Sequence, residues 1–290
     1  MILSVKNIHK SYGKEKVLKG ISFEMTQPQI LALVGPNGSG KSTLLNVINN
    51  LLPANEGEVT VLGKINKDPN IFKEISYMQD NSVLYDYLTG YDHLQFIGDV
   101  QGISKKEILS TAKRVGIDSY INKKVGKYSL GMKQHLLLTM AILNNPKLLI
   151  LDEPLNGLDP TSAIKVRNLL LEIYNSGTAI LLSSHNLAEI DRVTSQILFL
   201  KDGNLIKEDI SKYEKACYDL KLDNIEKGEK ALKQQDIPVE RLEETLRVFI
   251  EGASLDKVFH TLDEKKVKLL DIDKKIWGSE ERYKKIFVGS

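Results

Sequence analysis

Five consecutive apolar residues, Ile30-Leu31-Ala32-Leu33-Val34, run directly into Gly35-Pro36-Asn37-Gly38-Ser39-Gly40-Lys41-Ser42. A short apolar run with no polar face, closed by glycine, is the pattern of a strand buried on both sides. From Lys41 onward Leu44, Leu45, Val47, Ile48 and Leu51 recur at helix spacing. The residues between strand and helix fit G-x-x-x-x-G-K-[ST] at every fixed position. The glycines let backbone N–H groups converge on phosphate oxygens, where a Cβ would block the dihedrals or the approach. The helix N-terminus, with Thr43 in its first turn, adds oriented amides and the positive end of a dipole. Lys41 supplies a point charge for β- and γ-phosphates, and the Ser42 hydroxyl can ligate Mg²⁺. This strand–loop–helix unit restricts the chain to an α/β fold that binds a nucleotide at Gly35–Ser42.

The remainder repeats the theme. Ile2–Ile8 and Val17–Phe23 read as two N-terminal antiparallel strands, joined through Lys10-Ser11-Tyr12-Gly13. Lys147–Leu151, Ala179–Ser183 and Ile197–Leu200 are further buried-strand candidates, separated by helical stretches. Residues 90–145 are mostly helical in pattern and predict a helical subdomain. The sum is a mostly parallel sheet with helices on both faces.

Charge density breaks near residue 210. Residues 211–290 are charged at 34 of 80 positions, against 44 of the preceding 210, and the tail carries no net charge. The break predicts one domain at 1–210, which carries the phosphate loop, and an accessory α/β subdomain at 211–290. In the tail, Tyr218–Leu222, Thr245–Ile250 and Lys268–Asp273 read as strands. Ile225–Gln234, Leu255–Glu264 and Glu280–Ile286 read as helices, giving a small α/β sandwich.

The whole-chain net charge of +2 gives no strong field, so nucleic acid is not expected as a partner. One cysteine, Cys217, cannot form an internal disulfide, which favours a reducing compartment. Met1–Lys10 carries charge where a signal peptide needs an apolar core. The longest apolar stretches, such as Leu136–Leu143, fall short of the roughly 18 residues of a spanning helix. The chain is expected to cross no membrane by itself, which leaves docking onto a membrane protein open.

Leu148-Leu149-Ile150-Leu151 ends in Asp152-Glu153-Pro154. In a fold with a phosphate loop such a strand is expected beside the loop, so that Asp152 faces Mg²⁺. Glu153 is then placed to polarise a water for in-line attack on the γ-phosphate. His9, His93, His135 and His260 show no metal-ligand spacing.

With Tyr128-Ser129-Leu130-Gly131-Met132-Lys133-Gln134 upstream of that strand, residues 1–210 resemble the ATP-binding subunit of ABC transporters. Ser129 and Gly131 match the serine and second glycine of the family's signature motif, usually Leu-Ser-Gly-Gly-Gln. Leu130 and Met132 replace its first glycine and its glutamine, a form that resembles a branch of drug and antibiotic-peptide exporters. His135 stands where arginine is common in that branch. The resemblance implies that Ser129–Met132 bind the γ-phosphate held by an opposite subunit. It likewise implies that Tyr12 stacks on adenine and that Gln79 touches Mg²⁺ and the attacking water. Asp159, in Asn156-Gly157-Leu158-Asp159-Pro160, would reach across a dimer interface, and His185 would contact the γ-phosphate. The implied catalytic set is Glu153, His185 and Gln79, and the implied Mg²⁺ set is Ser42, Gln79 and Asp152.

The resemblance further implies a P-loop ATPase working with ATP and Mg²⁺. It would be a homodimer, or paired with a similar ATPase subunit, driving a separate transmembrane permease from the cytoplasmic face of the cell membrane. The permease would dock along about Asn81 to His93, which holds Tyr85, Tyr87, Leu88 and Tyr91. The cargo implied is a drug or antibiotic peptide, exported. Two other readings remain at this stage: a soluble ABC ATPase with a non-transport role, and a regulatory module that binds ATP without turnover.

Overall fold

The computed structural model describes residues 1–212, 216–249, 254–276 and 279–288. The chain divides into two compact units, Met1–Glu208 and Asp209–Ser290.

The first unit opens with β1 (Leu3–Tyr12) and β2 (Glu15–Met25), an antiparallel pair that runs from Leu3↔Met25 to Tyr12↔Glu15 with register shifts between Val5 and Ile8, Ile8 and His9, and Lys10 and Ser11. Next come β3 (Ile30–Val34), α1 (Lys41–Ile48), β4 (Glu56–Val61) and the two-residue β5 (Lys64–Ile65). β4 pairs antiparallel with β1, and the first sheet runs β2-β1-β4-β5. Neither β4 nor β5 is announced by the sequence. Only Val59 and Val61 of β4 are buried hydrophobics, with Glu56, Gly57 and Glu58 exposed beside them.

β6 (Ile75–Met78) leads into the helices α2 (Gly90–Gln101), α3 (Lys105–Val115) and α4 (Leu130–Ile142). α2 and α3 each begin with a capping box, Thr89 with Asp92 and Ser104 with Glu107, which satisfies otherwise orphaned N–H groups. Then follow β7 (Leu148–Leu151), α5 (Pro160–Asn175), β8 (Ala179–Ser184), the short α6 (Leu187–Ile190), β9 (Gln196–Lys201) and β10 (Asn204–Asp209).

The central sheet runs β10-β9-β3-β8-β7-β6, with β9, β3, β8, β7 and β6 mutually parallel. β3, β7 and β8 are buried at every position, as their continuous apolar runs predict. Alternate residues go to opposite faces. Leu31, Leu33, Leu148, Ile150, Leu181 and Leu198 join the core with β1, β2, β4 and α1, whereas Ala32, Leu149, Leu182 and Phe199 do not. Each Leu or Ile so buried contributes about 1.5–3 kcal/mol. β8 is inserted between β3 and β7. A glance at hydropathy cannot order parallel strands, since each reads as the same apolar run.

The second unit runs β11 (Ala216–Leu222), α7 (Ile225–Lys233), β12 (Val239–Arg241), β13 (Leu246–Phe249), α8 (Leu255–Glu264) and β14 (Leu269–Ile276). Its sheet is β12-β13-β11-β14 with antiparallel pairings throughout, so the unit is a ferredoxin-like β-α-β-β-α-β layer pair. Leu220, Leu222, Leu246 and Val248 pack under Leu232, Val258 and Leu262. β12 was not legible: it is three residues long, none of them buried. The predicted strand Thr245–Ile250 is found at Leu246–Phe249, and Ile250 lies outside the described residues. The predicted final helix begins as α9 (Ser279–Tyr283) and widens into a π-type turn over Lys284–Val288. Among the described residues no helix is long and apolar enough to cross a membrane.

Candidate nucleotide site

Because β9, β3, β8, β7 and β6 are parallel, their carboxyl ends share one edge, and the loops that leave it carry Gly35–Ser42, Gln79, Asp152-Glu153 and His185.

The loop after β3 is tight. A Cβ at Gly35 would stand 2.6 Å from Ser39 Oγ and 2.7 Å from the Leu200 carbonyl oxygen, so only glycine fits. Gly40, at φ 103°, caps α1 without a side chain and leaves its first amides clear of any side-chain acceptor. It packs on Val17 of β2, which ties the loop to the β1–β2 hairpin whose turn follows Tyr12. The Lys41 ammonium donates to the carbonyls of Gly35 at 2.9 Å and Pro36 at 3.3 Å, and lies 3.6 Å from Glu153 Oε1. Ser39 Oγ is buried with no hydrogen-bond partner.

Across β8 the two carboxylates are held differently. Ser183, fully buried on β8, donates its hydroxyl to Asp152 Oδ1 at 2.5 Å and accepts the Glu153 N–H at 2.9 Å. Asp152 N–H donates to the Met78 carbonyl at 2.9 Å, which fixes the end of β7 against β6. Glu153 sits at φ 51°, a left-handed conformation that costs a non-glycine residue of the order of 1–3 kcal/mol and that recurs at functional sites. His185 Nδ1 lies 2.9 Å from Glu153 Oε2. Behind the pair, Tyr77 donates its hydroxyl to Asn46 of α1 at 3.1 Å. Burial, and secondarily the Asp152 charge, pushes the Tyr77 phenol well above its ordinary range and keeps it a donor.

The structure therefore brings Lys41, Asp152, Glu153 and His185 into one connected set. Ser183 is the member that sequence reading missed. Its signal was two serines closing an otherwise apolar strand, both buried. Tyr12 stands apart, about half exposed, with Lys10 Nζ 5.3 Å from its ring centroid. Gln79 lines a groove of about 350 Å³ with Leu51, Phe72, Ile97 and Met140. Ser129 caps α4, accepting the Met132 N–H at 3.3 Å, and Asp159 caps α5, accepting from Thr161 and Ser162. The hydroxyl and amide of Ser162 hold the Asp159 carboxyl below its usual value. Neither cap contacts the Lys41–Glu153–His185 set.

Comparison with known proteins gives the family. The chain is 33% identical over 207 residues to the lantibiotic transport ATP-binding protein SrtF of Streptococcus pyogenes, a span of 71% of this chain and 90% of that protein. The chain belongs to the ABC transporter ATP-binding family. The ABC transporter family pattern matches residues 18–156, and an AAA-domain pattern described for a type IV toxin–antitoxin system matches residues 124–191. The bacitracin transport ATP-binding protein BcrA of Enterococcus faecalis is 33% identical over 211 residues, covering 71% of this chain and 68% of its own length. The structure of an ATP-binding subunit of an ABC transporter matches with a TM-score of 0.67 at 26% identity, over 91% of this chain and all of that one. A dimeric ATP-binding cassette, in a post-hydrolysis state bound to ADP and Pi, matches with a TM-score of 0.65 at 26% identity, over 72% of this chain and 98% of its own. The fold is accordingly that of an ABC cassette, and the chain is an ATPase subunit of the ABC transporter type.

Proposed function

We propose that this subunit binds ATP at Gly35–Ser42 and Thr43, pairs head to tail with a second copy or a similar ATPase subunit, and drives a separate membrane permease from the cytoplasmic face. Residues 1–210 form the ATPase domain and 211–290 an accessory subdomain. The observation that carries the reading is the convergence of Lys41, Asp152, Glu153 and His185 on the edge where the phosphate loop opens.

Each residue then has a definite task. Lys41 and the first amides of α1 hold the phosphates, Tyr12 stacks on adenine, and Ser129–Met132 of the partner subunit close over the γ-phosphate. Glu153 takes the proton of the attacking water, His185 holds the γ-phosphate and Gln79 orients the water. Asp159 reaches the partner across the interface. Closure excludes bulk water, and loss of the γ-phosphate bridge reopens the pair.

The donor chemistry fits Mg²⁺. Ser42, Asp152 and Gln79 offer a hydroxyl, one carboxylate and an amide. Among the described residues no cluster of three or more His, Cys, Asp or Glu could make an all-protein cage, in keeping with a cation that shares its shell with phosphates and water. When bound, the cation offsets charge on the β- and γ-phosphates.

Support for the permease lies along Asn81–His93, where Tyr85 and Tyr87 are exposed with ring centroids 5.7 Å apart, and Tyr85 stacks on His93 of α2. Exposed aromatic residues grouped in this way mark interaction surfaces. A drug or antibiotic peptide as exported cargo rests on the Ser129–Gln134 sequence and on relatives named for lantibiotic and bacitracin transport.

Glu153→Gln tests the assignment. The variant is expected to retain ATP binding, to lose phosphate release and to accumulate as an ATP-bound dimer on size-exclusion chromatography. Normal turnover would remove Glu153 as the base.

A further inference from the structure

We propose that Leu130 is a positioning residue that couples the 129–132 motif to Glu153 of its own chain by seating in the space left open at Gly157. Leu130 begins α4 and stands where the family motif has glycine; it remains 48% exposed. Its side chain lies over Gly157, which adopts φ 71°. A Cβ built there would overlap Leu130 Cδ2 and stand 3.2 Å from its Cγ. The contact is reciprocated, because Leu158 Cδ2 lies 3.6 Å from a Cβ built at Gly131. Gln134, buried one turn further along α4, donates Nε2 to the Asn156 carbonyl at 3.4 Å. Residues 130, 131 and 134 thus interleave with 156, 157 and 158.

Both ends of the second segment are anchored. Asn156 N–H donates to the Glu153 carbonyl at 3.1 Å, Leu155 is buried, and Asp159 is held as the cap of α5. A turn this short, tied at each end, has little freedom to absorb a displacement. A load on Leu130 is passed through Gly157 to the peptide that carries Glu153 in its strained left-handed conformation. A glycine at position 130 offers no side chain to transmit that load.

The inference rests on the reading that Ser129–Met132 meet the partner's γ-phosphate. Under that reading, nucleotide bound at one site adjusts the carboxylate of the other, and the two sites hydrolyse cooperatively.

The test is a double-mutant cycle on the full-length chain, read as ATPase rate against ATP concentration and as binding of the fluorescent analogue TNP-ATP. Leu130→Ala is expected to lower kcat about five- to tenfold and to bring the Hill coefficient toward one, while TNP-ATP still binds at Gly35–Ser42. Leu130→Met, which refills the contact, restores both. Gly157→Ala is slower still, and adding Leu130→Ala to it recovers part of the lost rate, because the overlap is removed and only the φ strain remains. Thermal melts establish that each variant is folded. A double variant as slow as Gly157→Ala, or wild-type kcat and Hill coefficient in Leu130→Ala, overturns the coupling. Ser129→Ala separates the two levels. Normal turnover there removes the reading beneath the proposal, whereas its loss together with an unrescued cycle removes the coupling alone.

Discussion

The two units hold carboxylates near their strands in opposite ways. In the first, Asp152 and Glu153 stand at the open edge of a parallel sheet. Asp152 is met by a neutral hydroxyl, and Glu153 by the end of Lys41 and by exposed His185. In the second, Asp219 lies mid-strand, and Arg247 grips both its oxygens at 2.7 and 3.0 Å within the sheet. The first carboxylates keep acceptor capacity for a ligand, whereas Asp219 spends its own on structure. The cause is topological. Parallel strands deliver every carboxyl end to one edge, whereas antiparallel strands alternate ends, and the second unit therefore gathers no comparable set of loops.

The contrast can be broken in four ways. The largest effect belongs to Glu153→Gln, for which phosphate release should fall about 10²–10⁴-fold. Asp219→Asn should leave that rate intact, and a comparable loss there would end the distinction. Arg247→Met leaves the largely enclosed Asp219 carboxylate without its guanidinium and should cost about 3–5 kcal/mol in denaturant melts that follow the second unit. Ser183→Ala removes a donor to Asp152 and an acceptor for the Glu153 amide. It is expected to cost about 1–3 kcal/mol and also to slow hydrolysis, which separates a scaffold serine from an idle one.

The smallest effect is a pH dependence. Hydrogen bonds from Thr89, side chain first, hold the Asp92 carboxyl below its ordinary value. Its folded-state value being depressed, the stability it gives is fully present above the unfolded carboxylate value near about 4 and is lost as pH falls through the folded one. Thr89→Ala should remove that part of the acid transition measured by circular dichroism.

How much was legible follows the strength of each local signal. The loop at Gly35–Ser42, the strand ending in Asp152-Glu153 and the helix Leu255–Glu264 were read at their positions because glycine, lysine and apolar spacing act locally. β5 and β12 went unread, since edge strands of two and three residues carry too few inward positions to show a period. Ser183 went unread for a different reason. A serine's role depends on which strand lies alongside, and hydropathy does not order parallel strands.

By itself, then, the sequence determined the chemistry available: a phosphate-binding loop, two adjacent carboxylates, a histidine after a buried strand and a charge-dense tail. The tertiary structure decided which of these meet. It inserted β8 between β3 and β7, placed the Ser183 hydroxyl between Asp152 and the Glu153 amide, and seated Leu130 over Gly157. Residue type and local spacing are properties of neighbours along the chain. Strand order and side-chain interlock join residues about thirty positions apart, and only the packing of the whole sheet selects among the partners available to them.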